Sequence, residues 1–122
     1  MHELSIAQSI VELAEQEAQN HYAVSIEELE LEIGTLAGID PVALQFALES
    51  AIKGSRLENA LIIKRFITGE GRCGDCEHFF SMENLLSACP FCGSYVISII
   101  KGKELRIKSI IINNNYVRNM RM

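Results

Sequence analysis

Tryptophan is absent from these 122 residues, and aromatic side chains of all kinds make up only 7%. No series of aromatic residues is present on which successive bases of a single strand could stack. Nor does any apolar run approach the roughly 20 residues needed to cross a bilayer as a helix. The start, Met1-His2-Glu3-Leu4, lacks the basic stretch and long apolar segment of a secretory leader, so a cytoplasmic location without membrane contact is expected. A nucleophile elbow, a phosphate-binding glycine loop and a His-Glu-x-x-His pair are all missing, so catalysis is not expected.

What is present suits a small globular chain. Hydrophobic residues reach 48% and charged residues 22%, enough for a core and too apolar for disorder. The net charge of −5 is unevenly spread: residues 1–60 carry eleven acids against two bases, and residues 61–122 five acids against nine bases. The acidic half suits cations or a basic partner and argues against a nucleic-acid surface there. The mildly basic half keeps a zinc-ribbon nucleic-acid binder open as the alternative, with Arg72, Lys101, Lys103, Arg106 and Lys108 as its contacts.

Periodicity orders the elements. Leu4, Ile6, Ala7, Ile10, Val11, Leu13 and Ala14 share a broad helical face, predicting a helix over about 3–20. Residues 25–33 alternate, with Leu29, Leu31 and Ile33 on one side and Glu28, Glu30 and Glu32 on the other: a half-buried strand with an acidic, solvated face. Asp40-Pro41 reads as an N-cap followed by proline at the first helical position, opening a second helix that ends near Gly54. Residues 61–67 read as a second strand. Residues 95–100 and 104–112 read as strands joined into a hairpin by Lys101-Gly102-Lys103, and 113–122 as a loose polar tail. The order predicts an α+β fold: a small, mostly antiparallel sheet covered by two helices, with a projecting cysteine subdomain. Residues 1–68 and 96–112 would form the α/β domain and residues 69–95 the metal-binding one.

All four cysteines fall in the window 73–92, as Cys73-x-x-Cys76 and Cys89-x-x-Cys92. In a reducing compartment such pairs read as metal ligands rather than disulfides. Four thiolates fill a tetrahedron and leave no position for water, which points to structural zinc and away from hydrolytic zinc. Thiolates alone do not select zinc over iron. Redox dithiols are the competing reading, and His78 is the nearby residue that could compete as a ligand. At the other end, His2 can build a chelate. The terminal amine, the His2 amide nitrogen and a ring nitrogen close two fused rings, a planar nitrogen set that suits Ni(II) or Cu(II). By itself a histidine at position two is an ordinary exposed residue.

Met1-His2-Glu3-Leu4-Ser5-Ile6-Ala7-Gln8-Ser9-Ile10, Ile33-Gly34, Cys73-x-x-Cys76 and Cys89-Pro90-x-Cys92-Gly93 together resemble the HypA/HybF family of nickel metallochaperones for [NiFe]-hydrogenase maturation. The resemblance covers about residues 1–112. It implies a transient nickel site at Met1, His2 and Glu3, with Asp40 where some members hold a nearby carboxylate. It implies structural zinc at Cys73, Cys76, Cys89 and Cys92. The implied partners are the GTPase HypB and the hydrogenase large subunit, and a homodimer stays open.

Overall fold

The computed structural model describes residues 2–113 and 117–121, with side chains described over 3–113. Along the chain run α1 (His2–Asn20), β1 (Ser25–Gly34), α2 (Pro41–Ala51), β2 (Leu61–Ile67), β3 (Gly69–Cys73), β4 (Phe79–Met82), β5 (Ile97–Lys101), β6 (Leu105–Asn113) and β7 (Val117–Arg121). The strands form a four-stranded sheet in the order β2-β1-β6-β7 and a three-stranded sheet in the order β4-β3-β5. The fold is α+β, as the element order predicts.

Two compact units result. The first comprises Met1–Leu31, Ile39–Lys64 and Arg106–Met122, and the second Glu32–Gly38 and Arg65–Leu105. The second unit is wider than the cysteine segment 69–95, because residues 32–38, 65–68 and 96–105 belong to it. In the first unit, Ala7, Ile10, Ala14 and Ala18 are the buried stripe of α1. Their spacing is that of one helical face, and three alanines let a neighbouring element approach closely. Leu44 and Leu48 are the buried residues of α2, and Leu29, Leu31, Ile110 and Ile112 add the strands' share of the core. Each such side chain contributes about 1.5–3 kcal/mol by leaving water. Glu15 fastens the segment after α2 to α1, accepting from the Arg56 backbone N–H and pairing with its guanidinium.

Three expectations are corrected. The acidic side of β1 is not a solvated face: Glu32 is only 6% exposed, Glu28 and Glu30 are half-buried, and the Ser109 hydroxyl donates to Glu30 at 3.4 Å. The cause is position, since β1 lies between β2 and β6 and both its faces have cross-strand neighbours. Second, β5 and β6 do not form a hairpin. β5 pairs antiparallel with β3, whereas β6 joins the other sheet. Lys101-Gly102-Lys103 is used otherwise: the Gly102 carbonyl accepts from Leu36 N–H at 2.7 Å, and the Glu104 carbonyl accepts from Gly34 N–H at 2.6 Å. Third, part of the expected loose tail is ordered as β7, which pairs with β6 from Asn113↔Val117 to Ser109↔Arg121. Backbone pairing along an otherwise open edge does what its polar side chains do not signal. Residues 114–116 and Met122 lie outside the described residues.

Gly34 and Gly102 are required where the second unit closes. A Cβ on Gly34 would sit 1.9 Å from the Gly102 carbonyl oxygen, and Gly102 holds φ +114. Gly34→Ala is therefore expected to cost about 1–3 kcal/mol, the range of an overpacked core. Thermal melting checks this, and an unchanged Tm would contradict it.

Candidate metal centre

The cysteines sit at the ends of two short turns built alike. In the first, Cys73 N–H donates to the His78 carbonyl at 2.9 Å and Glu77 N–H to the Cys73 carbonyl at 3.0 Å. In the second, Cys89 N–H donates to the Ser94 carbonyl and Gly93 N–H to the Cys89 carbonyl, both at 2.8 Å. The fifth residue of each turn is left-handed, Glu77 at φ 66 and Gly93 at φ 80. Glycine takes that conformation without steric cost, and glutamate does not. Glu77 is held by Arg72, which donates to its carboxylate at 2.8 Å. Each turn also aims an amide at its first sulfur: Asp75 N–H at Cys73 Sγ and Phe91 N–H at Cys89 Sγ, each at 3.4 Å.

All four sulfurs lie within 4.8 Å of one another. Cys73 and Cys92 are 3.5 Å apart, as are Cys76 and Cys89. A tetrahedral zinc with metal–sulfur bonds of about 2.3 Å sets sulfurs about 3.8 Å apart, so the residues fit such an ion. The donor chemistry points the same way. The Cys76 and Asp75 amides, against the desolvation of burial, bring the Cys73 thiol down to about 6. Cys92 is pushed up to about 12: the Ser94 amide works against this, but the sulfurs of Cys73, Cys76 and Cys89 and the partial desolvation of its own sulfur outweigh it. Four thiols this close cannot all give up protons on their own. A divalent cation removes that conflict by deprotonating its ligands.

Cys73 and Cys89 are buried, Cys76 is intermediate and Cys92 exposed. The two buried ones pack with Leu36, Phe80 and Met82, so the second unit's small core is built around these two cysteines. His78 is not grouped with the four sulfurs. Its ring stacks on Phe91 at 4.3 Å, with Nδ1 3.3 Å from Cys76 Sγ. The cross-turn contacts of Asp75, Phe91 and Ser94 were not legible beforehand, because nothing local in the sequence signals them. Gly74, Pro90 and Gly93 are the turn markers that the sequence does show.

The other sequence-derived residues lie in the first unit. Met1 and the His2 side chain are outside the described residues; the His2 backbone opens α1. Glu3 and Asp40 come together, with the Asp40 backbone N–H donating to Glu3 Oε2 at 3.0 Å. Asp40 Oδ1 accepts from Val42 and Ala43 N–H at 2.9 and 3.2 Å, which makes it the cap of α2. Asp40→Ala should cost about 1 kcal/mol of stability. Denaturant titration checks this, and an unchanged midpoint would deny the cap its role. Of the basic residues that a nucleic-acid surface would use, Arg72 is bound to Glu77, and Arg106 and Lys108 are also engaged within the protein.

A profile of the family described as hydrogenase/urease nickel incorporation, metallochaperone, hypA matches residues 1–112. The chain belongs to the HypA family. It is 62% identical over 112 residues to a protein of Parabacteroides distasonis named hydrogenase maturation factor HypA, covering 92% of this chain and 97% of that one. A protein of the same name from Chlorobium luteolum is 46% identical over 113 residues, covering 93% and 97%. The solution structure of the Ni metallochaperone HypA from Helicobacter pylori has the same fold, with a TM-score of 0.64 at 26% identity over 91% of this chain and 97% of that one. The HypA match stops at Ile112, so β7 lies beyond it. No helix among the described residues is long and apolar enough to cross a membrane.

Proposed function

We infer that this HypA-family chain binds Ni(II) at its amino terminus and delivers it during [NiFe]-hydrogenase maturation, without catalysing a reaction itself. Zn(II) held by Cys73, Cys76, Cys89 and Cys92 is structural in this reading. The first unit carries nickel and the second carries zinc. The GTPase HypB and the hydrogenase large subunit are the proposed partners, in the cytoplasm.

The observation that carries the nickel reading is the start of α1. The helix begins at His2, so the His2 amide is among the first four N–H groups, which have no acceptor within a helix. A nitrogen left over by the helix is the one that the two-ring chelate uses. Beside it, the Glu3–Asp40 bond fixes the start of α1 against the start of α2, so the first helical turn is held in place. Glu3 and Asp40 are proposed to support the chelate, through this bond and through their charge.

The pH dependence tests the donor set. Imidazole and amine bind metal only when deprotonated. Their ordinary pKa values, about 6.5 and 7.7–8.0, mean that protons displace nickel as pH falls. Calorimetric titrations are therefore expected to show binding that fades below about pH 6–7. An affinity unchanged from pH 8 to pH 5.5 would require a site without imidazole or amine.

A further inference from the structure

The two cysteine turns, 73–78 and 89–94, touch each other in a crossed pattern that matches their shared construction. The third residue of the first turn meets the sixth of the second: Ser94 Oγ donates to Asp75 Oδ2 at 2.5 Å. The third residue of the second turn meets the sixth of the first: Phe91 stacks on His78 with ring centroids 4.3 Å apart and planes 20° from parallel. We propose that these crossed contacts are two clasps, one polar and one aromatic, that hold the turns in register and set how slowly the metal leaves. Asp75, Ser94, Phe91 and His78 are then positioning residues of the metal centre. The proposal rests on the reading of that centre as a zinc site.

Each turn is stiffened internally by its own backbone bonds, so it presents its two sulfurs as a fixed pair. The soft movement is one turn against the other, and metal loss requires that movement. While a clasp holds, a sulfur that lets go stays beside the ion and recaptures it; without the clasp it drifts away. The Ser94 hydroxyl is oriented for its task. It accepts from Val96 N–H at 3.0 Å, and its one proton is directed to Asp75. Partners outside a ligand shell commonly change metal affinity about 10–100-fold when removed.

The test follows zinc transfer from the loaded 122-residue chain to excess chromogenic chelator, with zinc content measured beforehand. Ser94→Ala is expected to release zinc about 10-fold faster, and Ser94→Thr, which keeps the hydroxyl, at the wild-type rate. Asp75→Asn keeps an acceptor oxygen and should stay near wild type, whereas Asp75→Ala should match Ser94→Ala. The Asp75 pair answers the question even where the alanine at 94 does not fold. Phe91→Ala should also release about 10-fold faster, and His78→Phe, which preserves the stack, should not. Wild-type rates in Ser94→Ala, Asp75→Ala and Phe91→Ala, with one zinc per chain in each, would overturn the clasps. So would equal acceleration by Ser94→Thr and Ser94→Ala, or by His78→Phe and Phe91→Ala. A wild-type chain that holds no zinc at all would instead overturn the zinc reading beneath them.

Discussion

Replacing Cys73 by alanine is expected to reduce zinc from about one ion per chain to nearly none and to unfold the second unit. Cys73 is fully buried at the end of β3, opposite Ile97 of β5, and packs among Leu36, Phe80 and Met82. That cluster is small, and its ligands are part of it. In isolated zinc-finger peptides the ion supplies about 10–16 kcal/mol of apparent binding energy that doubles as folding energy. Losing one of four thiolates leaves an open shell as well as a hole in the core. Both helices belong to the first unit, so the helical circular dichroism signal should persist while the second unit melts. Cys92→Ala should release the metal in the same way. X-ray absorption and zinc analysis decide: a spectrum dominated by nitrogen or oxygen neighbours, or a variant with full zinc and unchanged melting, would contradict the four-sulfur site.

His2→Ala is expected to remove specific Ni(II) binding, a loss of more than about 100-fold, beyond the effect of losing a ligand's partner. Zinc content and melting should stay at wild-type values, because the two sites use different ligands in different units. His2→Gln separates the ring from mere polarity, since it keeps a polar side chain but no imidazole. The competing locations are His21, His78 and the thiolates. His21 Nδ1 lies 3.0 Å from the Glu17 carbonyl, and His78 lies against Phe91 and Cys76, so both rings already have partners. Equal nickel affinity in wild type and His2→Ala would move the site to one of them.

The elements with strong periodicity are legible in the sequence. α1 and β1 follow from the spacing of their apolar residues, and α2 from Asp40-Pro41. The four-sulfur centre follows from two C-x-x-C pairs in a 20-residue window. What escaped reading is what depends on distant neighbours. β3, Gly69–Cys73, contains two glycines, which by composition mark only the entry to the cysteine segment. It is a strand because β4 and β5 pair along both its edges, where Cβ atoms at Gly69 and Gly71 would strike Leu36 and Met82. Glu32 reads as solvated by alternation alone and is buried because its strand is central. The hairpin over 95–112 fails because Gly34 and Leu36, some 70 residues upstream, take up the linker's carbonyls. In the metal centre, the pairing of the four cysteines is legible by spacing, but Glu77 in a left-handed conformation and the crossed contacts between the turns are not.

The central claim is that nickel is held by the free amino terminus together with His2. A chain acetylated at its Met1 amine keeps every side chain, both units and all four cysteines. Acetylation removes the basic amine donor and, unlike an added residue, supplies no new amine in its place. Calorimetric titration of Ni(II) into the native and acetylated chains, both loaded with zinc, tests the claim directly. Clear binding to the native chain and strongly weakened binding to the acetylated one is the expected result. Equal affinity in the two chains would contradict it.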